Sequence, residues 1–202
     1  MAVRRVVCVT AICIVVGLFM LAGGCQLAPS VSSHKLIASQ ALIDFSGLKG
    51  PELMPQIRTL ISPPQKWEVL AAKNTPLYFH QQWRSPSTHT GVGVLCAHLP
   101  LPLSVQTVAW LAKQQYARQS RDGAVLNEWT DETGRSWFEA ENEKYHVTGY
   151  IIVDGMTAWF VYFGYRVKYP PELGEISLAA RSARTAMPIM DGGPTTRPAA
   201  QQ

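Results

Sequence analysis

The sequence is poor in the features that usually give a function away. It has no G-x-S-x-G elbow, P-loop, G-x-G-x-x-G fingerprint, H-E-x-x-H or C-x-x-C, so the familiar local signatures of hydrolase, nucleotide, dinucleotide, zinc-protease and redox chemistry are missing. Charge is sparse, at 16% of residues. The net charge is +4, and Arg4 and Arg5 sit in the first five residues, which leaves the remainder nearly balanced. Without a dense Lys/Arg cluster there is no electrostatic footprint for nucleic acid. Of four cysteines, Cys8 and Cys13 lie inside an N-terminal apolar run, Cys25 ends it, and Cys96 stands alone in "GVLCAHLP". That distribution excludes a disulfide framework and reads Cys96 as a small buried hydrophobe. No internal repeat is present, and 202 residues suit one domain. No cofactor is implied.

What is present begins with the leader. Arg4 and Arg5 precede Val6 to Ala22, 17 residues without a charge, and then Gly23, Gly24 and Cys25. A positive start, an apolar middle and small residues before a cut describe a secretory signal peptide, although the run also touches the lower limit for a membrane-spanning helix. "LAGGC" separates the two readings. It resembles the bacterial lipobox, in which the cysteine thiol receives a diacylglyceryl group and the leader is cut just before it. The usual pattern has Leu three places before Cys; here Ala22 holds that place and Leu21 sits one further back. The resemblance implies a signal peptide over residues 1–24, a lipid on Cys25 and a membrane-anchored protein of the bacterial cell envelope. An uncleaved signal anchor is the competing reading. In enteric bacteria an Asp after the cysteine tends to retain lipoproteins in the inner membrane. Gln26 in that place leans toward the outer membrane, with the chain facing the periplasm.

Residues 25–65 read as a lipidated tether followed by an irregular or short-helical segment, because "GPELMPQIRTLISPP" is interrupted by Pro51, Pro55, Pro63 and Pro64. Residues 66–188 read as one α+β domain. Residues 189–202, rich in Gly, Pro, Thr and Ala, read as a disordered tail.

Within 66–188 the expected order is three strands, a helix, four strands and a last helix. "WEVLAAK", "PLYFHQQW" and "GVGVLCAHL" are the first strands. Ser104 is the expected N-cap of the first helix, with Val105, Val108, Ala109, Ala112 and Tyr116 as its apolar stripe. Turn residues order the next four strands. Asp131 first and Gly134 fourth in "DETG" predict a type I turn with a glycine bulge, which pairs Trp129 with Trp137. A two-residue turn at Asn142–Glu143 pairs Glu141 with Lys144 and Glu139 with His146. A two-residue turn at Asp154–Gly155 pairs Val153 with Met156 and Tyr150 with Trp159. Alternation puts Phe138, Ala140, Ile151, Ala158 and Phe160 on one face. It puts Trp129, Trp137, Tyr150, Trp159, Val161 and Phe163 on the other. Both faces are apolar and need covers. The helix after Ser104 and one carrying Leu173, Ile176, Ala180, Ala183 and Met187 are the candidates, which predicts an antiparallel sheet with helices on both faces, an α/β/α sandwich. This order of parts resembles the PsbP-like fold. The resemblance is one of topology over roughly 120 residues, and it implies a non-enzymatic binding or assembly module without transferring any functional residue.

Three side-chain groups merit a chemical reading. Cys96 and His98 share a strand face, and His80 on the neighbouring strand would complete a partial metal site, although closed zinc sites want four ligands. Glu139 and His146 form a cross-strand acid–base pair, more often a structural contact than a catalytic one. Trp129 and Trp137 are core, or else an exposed aromatic patch for a partner. The leading expectation is a lipid-anchored interaction or assembly module with an unknown envelope protein partner and no nucleic acid. The alternative is an envelope hydrolase or metal-dependent enzyme using His80/His98 or Glu139/His146.

Overall fold

The computed structural model describes residues 43–119 and 123–190. Among them are eleven strands and two α-helices. The main sheet is antiparallel and eight-stranded, in the order β3 (Glu68–Val69), β5 (Tyr78–Arg84), β6 (Gly91–His98), β10 (Thr157–Arg166), β9 (Tyr145–Asp154), β8 (Ser136–Glu141) and β7 (Ala124–Thr130), with β4 (Lys73–Asn74) also on β5. A second sheet of three strands runs β1 (Glu52–Met54), β2 (Thr59–Ile61), β11 (Met187–Pro188).

Helix α1 (Val105–Gln119) starts where Ser104 accepts the Thr107 N–H at 3.2 Å, which satisfies one of the orphan donors of the first turn. It packs on β9 and β7 through Val108, Ala112 and Tyr116, against Phe138, Ala140, Ile151 and Ala158. Helix α2 (Leu173–Thr185) lies on the other face, on β10, β6 and β2. It buries Ile176, Ala179, Ala180 and Ala183 against Trp137, Tyr150, Trp159, Val161 and Phe163. Alternation along β8, β9 and β10 thus divides the side chains as the period of two requires.

The helix-covered α/β/α sandwich, and with it the PsbP-like architecture, is overturned. The described residues are β-rich, and the two helices among them touch opposite faces without covering them. The reason is width. The sheet is seven strands across, because β3 and β4 share one edge of β5, and six gaps of about 4.8 Å span roughly 29 Å, whereas one helix covers about 10 Å. Part of the remaining α2 face is closed by the three-stranded sheet. Ile61 of β2 and Ile57 of the turn before it belong to the same core, and the Trp159 indole N–H donates to the Ile57 carbonyl at 2.8 Å. Helix α2 is pinned to β2 by Ser182 Oγ donating to the Ser62 carbonyl at 2.8 Å and by the Ser62 N–H donating to Thr185 Oγ1 at 2.8 Å. Residues 52–61, expected to be irregular or short-helical, instead form β1, a 3-10 turn and β2 packed on the domain. The prolines that seemed to break the segment sit at its turns and edges, with Pro55 opening a 3-10 turn that ends on Arg58 at φ 48°. At the far end Ile189 donates its N–H to the Arg58 carbonyl at 2.7 Å, so the ordered chain extends past 188. The leader, Cys25 and residues 191–202 lie outside the described residues.

Two of the three expected registers differ. Asp131–Gly134 forms the expected turn, with the Gly134 N–H on the Asp131 carbonyl at 3.0 Å, Gly134 at φ 79° and Trp129 opposite Trp137. The next loop is longer than a two-residue turn: Glu141 faces His146 and Glu139 faces Thr148. In the last hairpin Gly155 and Met156 are the loop residues, so Asp154 faces Thr157 and Tyr150 faces Val161. Each register moves by two positions, so every side chain keeps its face.

Candidate functional site

Glu139 and His146 do meet, through diagonal positions and not as direct cross-strand partners. Glu139 and Glu141 are two apart on β8 and share a face, and His146 on β9 inserts between them. His146 Nε2 lies 2.7 Å from Glu139 Oε1, and Nδ1 lies 2.6 Å from Glu141 Oε2. Asn127 on β7 donates its amide to Glu139 Oε2 at 2.7 Å. Tyr165 on β10 stacks on the imidazole, with centroids 5.2 Å apart and planes 5° apart. Four neighbouring strands thus supply the cluster.

Its protonation follows from the geometry. An ionised carboxylate only accepts, and both ring nitrogens face carboxylate oxygens, so both carry protons and His146 is an imidazolium. Burial alone would pull the His146 pKa down, but the hydrogen bonds to Glu139 and Glu141, together with their charges, outweigh it and raise the pKa. The Asn127 amide adds a third hydrogen bond to the two between the carboxylates and the imidazolium. Glu139 is 1% exposed and His146 0%. A general acid or base must reach the proton it moves, and here the core encloses both partners. The cluster is an internal ion network that joins β7, β8, β9 and β10. The sequence reading missed Glu141, Asn127 and Tyr165. The i, i+2 spacing of the two glutamates was the available signal, since it places both on one face.

The histidine–cysteine site does not assemble. Phe79 is the cross-strand neighbour of Cys96, and His80 is the neighbour of Leu95, so His80 projects to the opposite face from Cys96 and His98. There it meets the Tyr162 hydroxyl at 2.7 Å, a contact made possible by Gly93, where a Cβ would fall 2.5 Å from that hydroxyl oxygen. Burial, aided by the nearby charge of Lys73, pulls the His80 pKa down to about 4, so its ring is neutral. Cys96 is buried and its thiol is pushed up to about 11 by burial, against a smaller opposing effect of Arg58. It is a poor nucleophile in that state. His98 is exposed at the rim of a small cleft that Arg58, Leu77, Phe79, Cys96 and Thr157 also line. Among the described residues no group of three His, Cys, Asp or Glu side chains could hold a metal ion.

Trp129 and Trp137 stack, with centroids 6.0 Å apart and planes 6° apart. Trp137 is 1% exposed, its indole N–H donates to Asp131 Oδ2 at 2.8 Å, and Trp129 is half-buried against the same core. The pair is core packing and makes no exposed patch.

A second polar network holds the C-terminal end of α2. Arg135 donates to the Arg184 carbonyl at 3.0 Å and lies 4.8 Å over the Tyr150 ring. The Tyr150 hydroxyl donates to the Ala183 carbonyl at 3.0 Å. A cation at a helix C-terminus is favoured by the dipole. At the other end of α2, Glu175 accepts Ser85 Oγ at 2.6 Å, Ser87 Oγ at 2.8 Å and Thr88 Oγ1 at 2.6 Å, which ties the β5–β6 loop to the helix.

No family model matches the chain, and no curated protein matches it. Among solved structures, a crystal structure of a protein from Bacteroides thetaiotaomicron VPI-5482 is similar with a TM-score of 0.37 and 11% sequence identity. The match covers 72% of this chain and 50% of the other, so this chain spans about half the length of that protein. A likeness at that level carries no argument about function.

Proposed function

We propose that the chain is a lipid-anchored protein of the bacterial envelope, working as a non-enzymatic binding or assembly module and held to the membrane through Cys25. The observation that carries this reading is the order of parts in the first 25 residues: two arginines, an uncharged apolar run, "AGG" and a cysteine. The cysteine supplies the thiol to be alkylated, and two or more acyl chains make the attachment stable where one would be marginal. The domain's own chemistry is in keeping with a scaffold. Its imidazolium is enclosed, His80 is neutral and bonded to Tyr162, and Cys96 is a protonated buried thiol. The outer membrane is favoured by Gln26, and the partner is an envelope protein. Growth with an alkyne palmitate analogue tests the anchor. The wild-type chain is expected to carry the label and Cys25→Ala to lose it. Equal labelling of both would overturn the reading.

A further inference from the structure

The three-stranded sheet has one face in the core and one in solvent. Thr59 and Ile61 are 0% exposed, so Leu60 between them projects outward. Leu53 and Met187 are its cross-strand neighbours on either side, and they are 53% and 44% exposed. Ile189 continues the β11 edge through its bond to Arg58 and is 40% exposed. Four apolar side chains therefore share the outer face of a sheet whose strands are only two or three residues long. A contiguous exposed apolar patch marks an interaction site.

We propose that this face docks on the surface of the bilayer that holds the lipid on Cys25. The proposal rests on the lipid-anchor reading and adds an orientation to it. The chain enters the domain beside this sheet: Leu48 bridges to Pro64, the Lys49 N–H donates to the Pro63 carbonyl at 2.8 Å, and the Gln65 N–H donates to the Gly47 carbonyl at 2.8 Å. Phe45, close to that entry, is 56% exposed. Residues 26–42 span at most roughly 60 Å when fully extended, and the chain enters the domain beside this sheet, so this face lies within reach of the anchored bilayer. Tethering of that length gives an effective concentration in about the millimolar range, at which a small apolar face suffices. The rim charges suit anionic headgroups. Arg58 precedes β2 and Lys66 follows it, while the acids near the chain entry are ion-paired, Glu52 with Lys49 at 3.7 Å and Asp44 with Arg181. Apolar side chains with flanking cations are the pattern of interfacial binding.

The test uses the full lipidated chain in vesicles of phosphatidylcholine with a minority of phosphatidylglycerol. An environment-sensitive NBD label is placed at Leu53→Cys, with Met187→Cys as an independent second site and Trp110→Cys on the exposed side of α1 as the remote control. Labels at 53 and 187 are expected to shift to the blue and to be quenched several-fold more by a nitroxide lipid than the label at 110. Vesicle-bound chain with equal quenching at all three sites would overturn the docking and leave the anchor standing. A blue shift without lipid quenching would assign the face to protein instead of bilayer and would also overturn it. Failure of the chain to float with vesicles would overturn both readings.

Discussion

Replacing His146 with glutamine removes the one positive charge between Glu139 and Glu141 and nearly preserves the side chain's length. Glutamine can donate an amide proton to one carboxylate, but its oxygen then faces an acceptor. Breaking a buried ion pair by removing one partner typically costs about 3–5 kcal/mol. In a domain of this size 1 kcal/mol moves the melting point by roughly 2–4 °C, so His146→Gln is expected to lower it by about 6–20 °C. The pH dependence is the sharper test. The folded-state pKa of His146 lies above its unfolded value of about 6.5. Its contribution is therefore complete below about pH 6.5 and is lost as pH rises through the folded value. His80 acts in the opposite direction. Its folded pKa is depressed to about 4, so its contribution is present above about pH 6.5 and is lost as pH falls toward 4. The two would blur in a single stability curve. Denaturant melts of wild type and His146→Gln across pH 5 to 9 isolate the first, because His80 is common to both. The stability difference is expected to be largest at the acid end and to shrink at the alkaline end. Nitrogen-15 spectra of the histidine rings at neutral pH should show both nitrogens of His146 protonated and His80 as a neutral tautomer. A His146→Gln loss below about 1 kcal/mol, a pH-independent difference, or a neutral His146 ring would refute the imidazolium cluster.

The stacked indoles give a second test: a double-mutant cycle of Trp129→Ala and Trp137→Ala should show coupling of about 0.5–1.5 kcal/mol beyond burial, and additive losses would mean the rings do not interact. Arg135→Ala should lower stability by about 1–2 kcal/mol, since it removes both the cation at the end of α2 and the stack on Tyr150. That corresponds to a fall of roughly 2–8 °C in melting temperature, with Arg135→Lys losing less, and an unchanged melt for Arg135→Ala would remove the capping role.

Several features were legible residue by residue. The order of charge, apolar run and "AGGC" is where the proposed anchor rests, and that stretch lies outside the described residues. The two faces of β8, β9 and β10 follow from a period of two, and a register error of two positions leaves that assignment intact. This is why Tyr150 and Val161 fall on the expected face although the β8–β9 and β9–β10 pairings differ from those expected. Ser104 and the Asp131–Gly134 turn were readable because their hydrogen bonds close within a few residues. What only the tertiary structure decided involves short segments and long separations. β1, β2 and β11 have three, three and two residues, too few to show any period, and β11 pairs with β2 across more than a hundred positions. No local preference selects that pairing; it forms because Ile57 and Ile61 bury against Trp159 and α2. The second carboxylate on His146 arises in the same way. Loop length between β8 and β9 sets which diagonal residues meet, and packing sets that loop. The cover of the sheet was the largest miss, because pattern shows that a face must be buried and leaves open whether a helix, a second sheet or a neighbouring segment buries it.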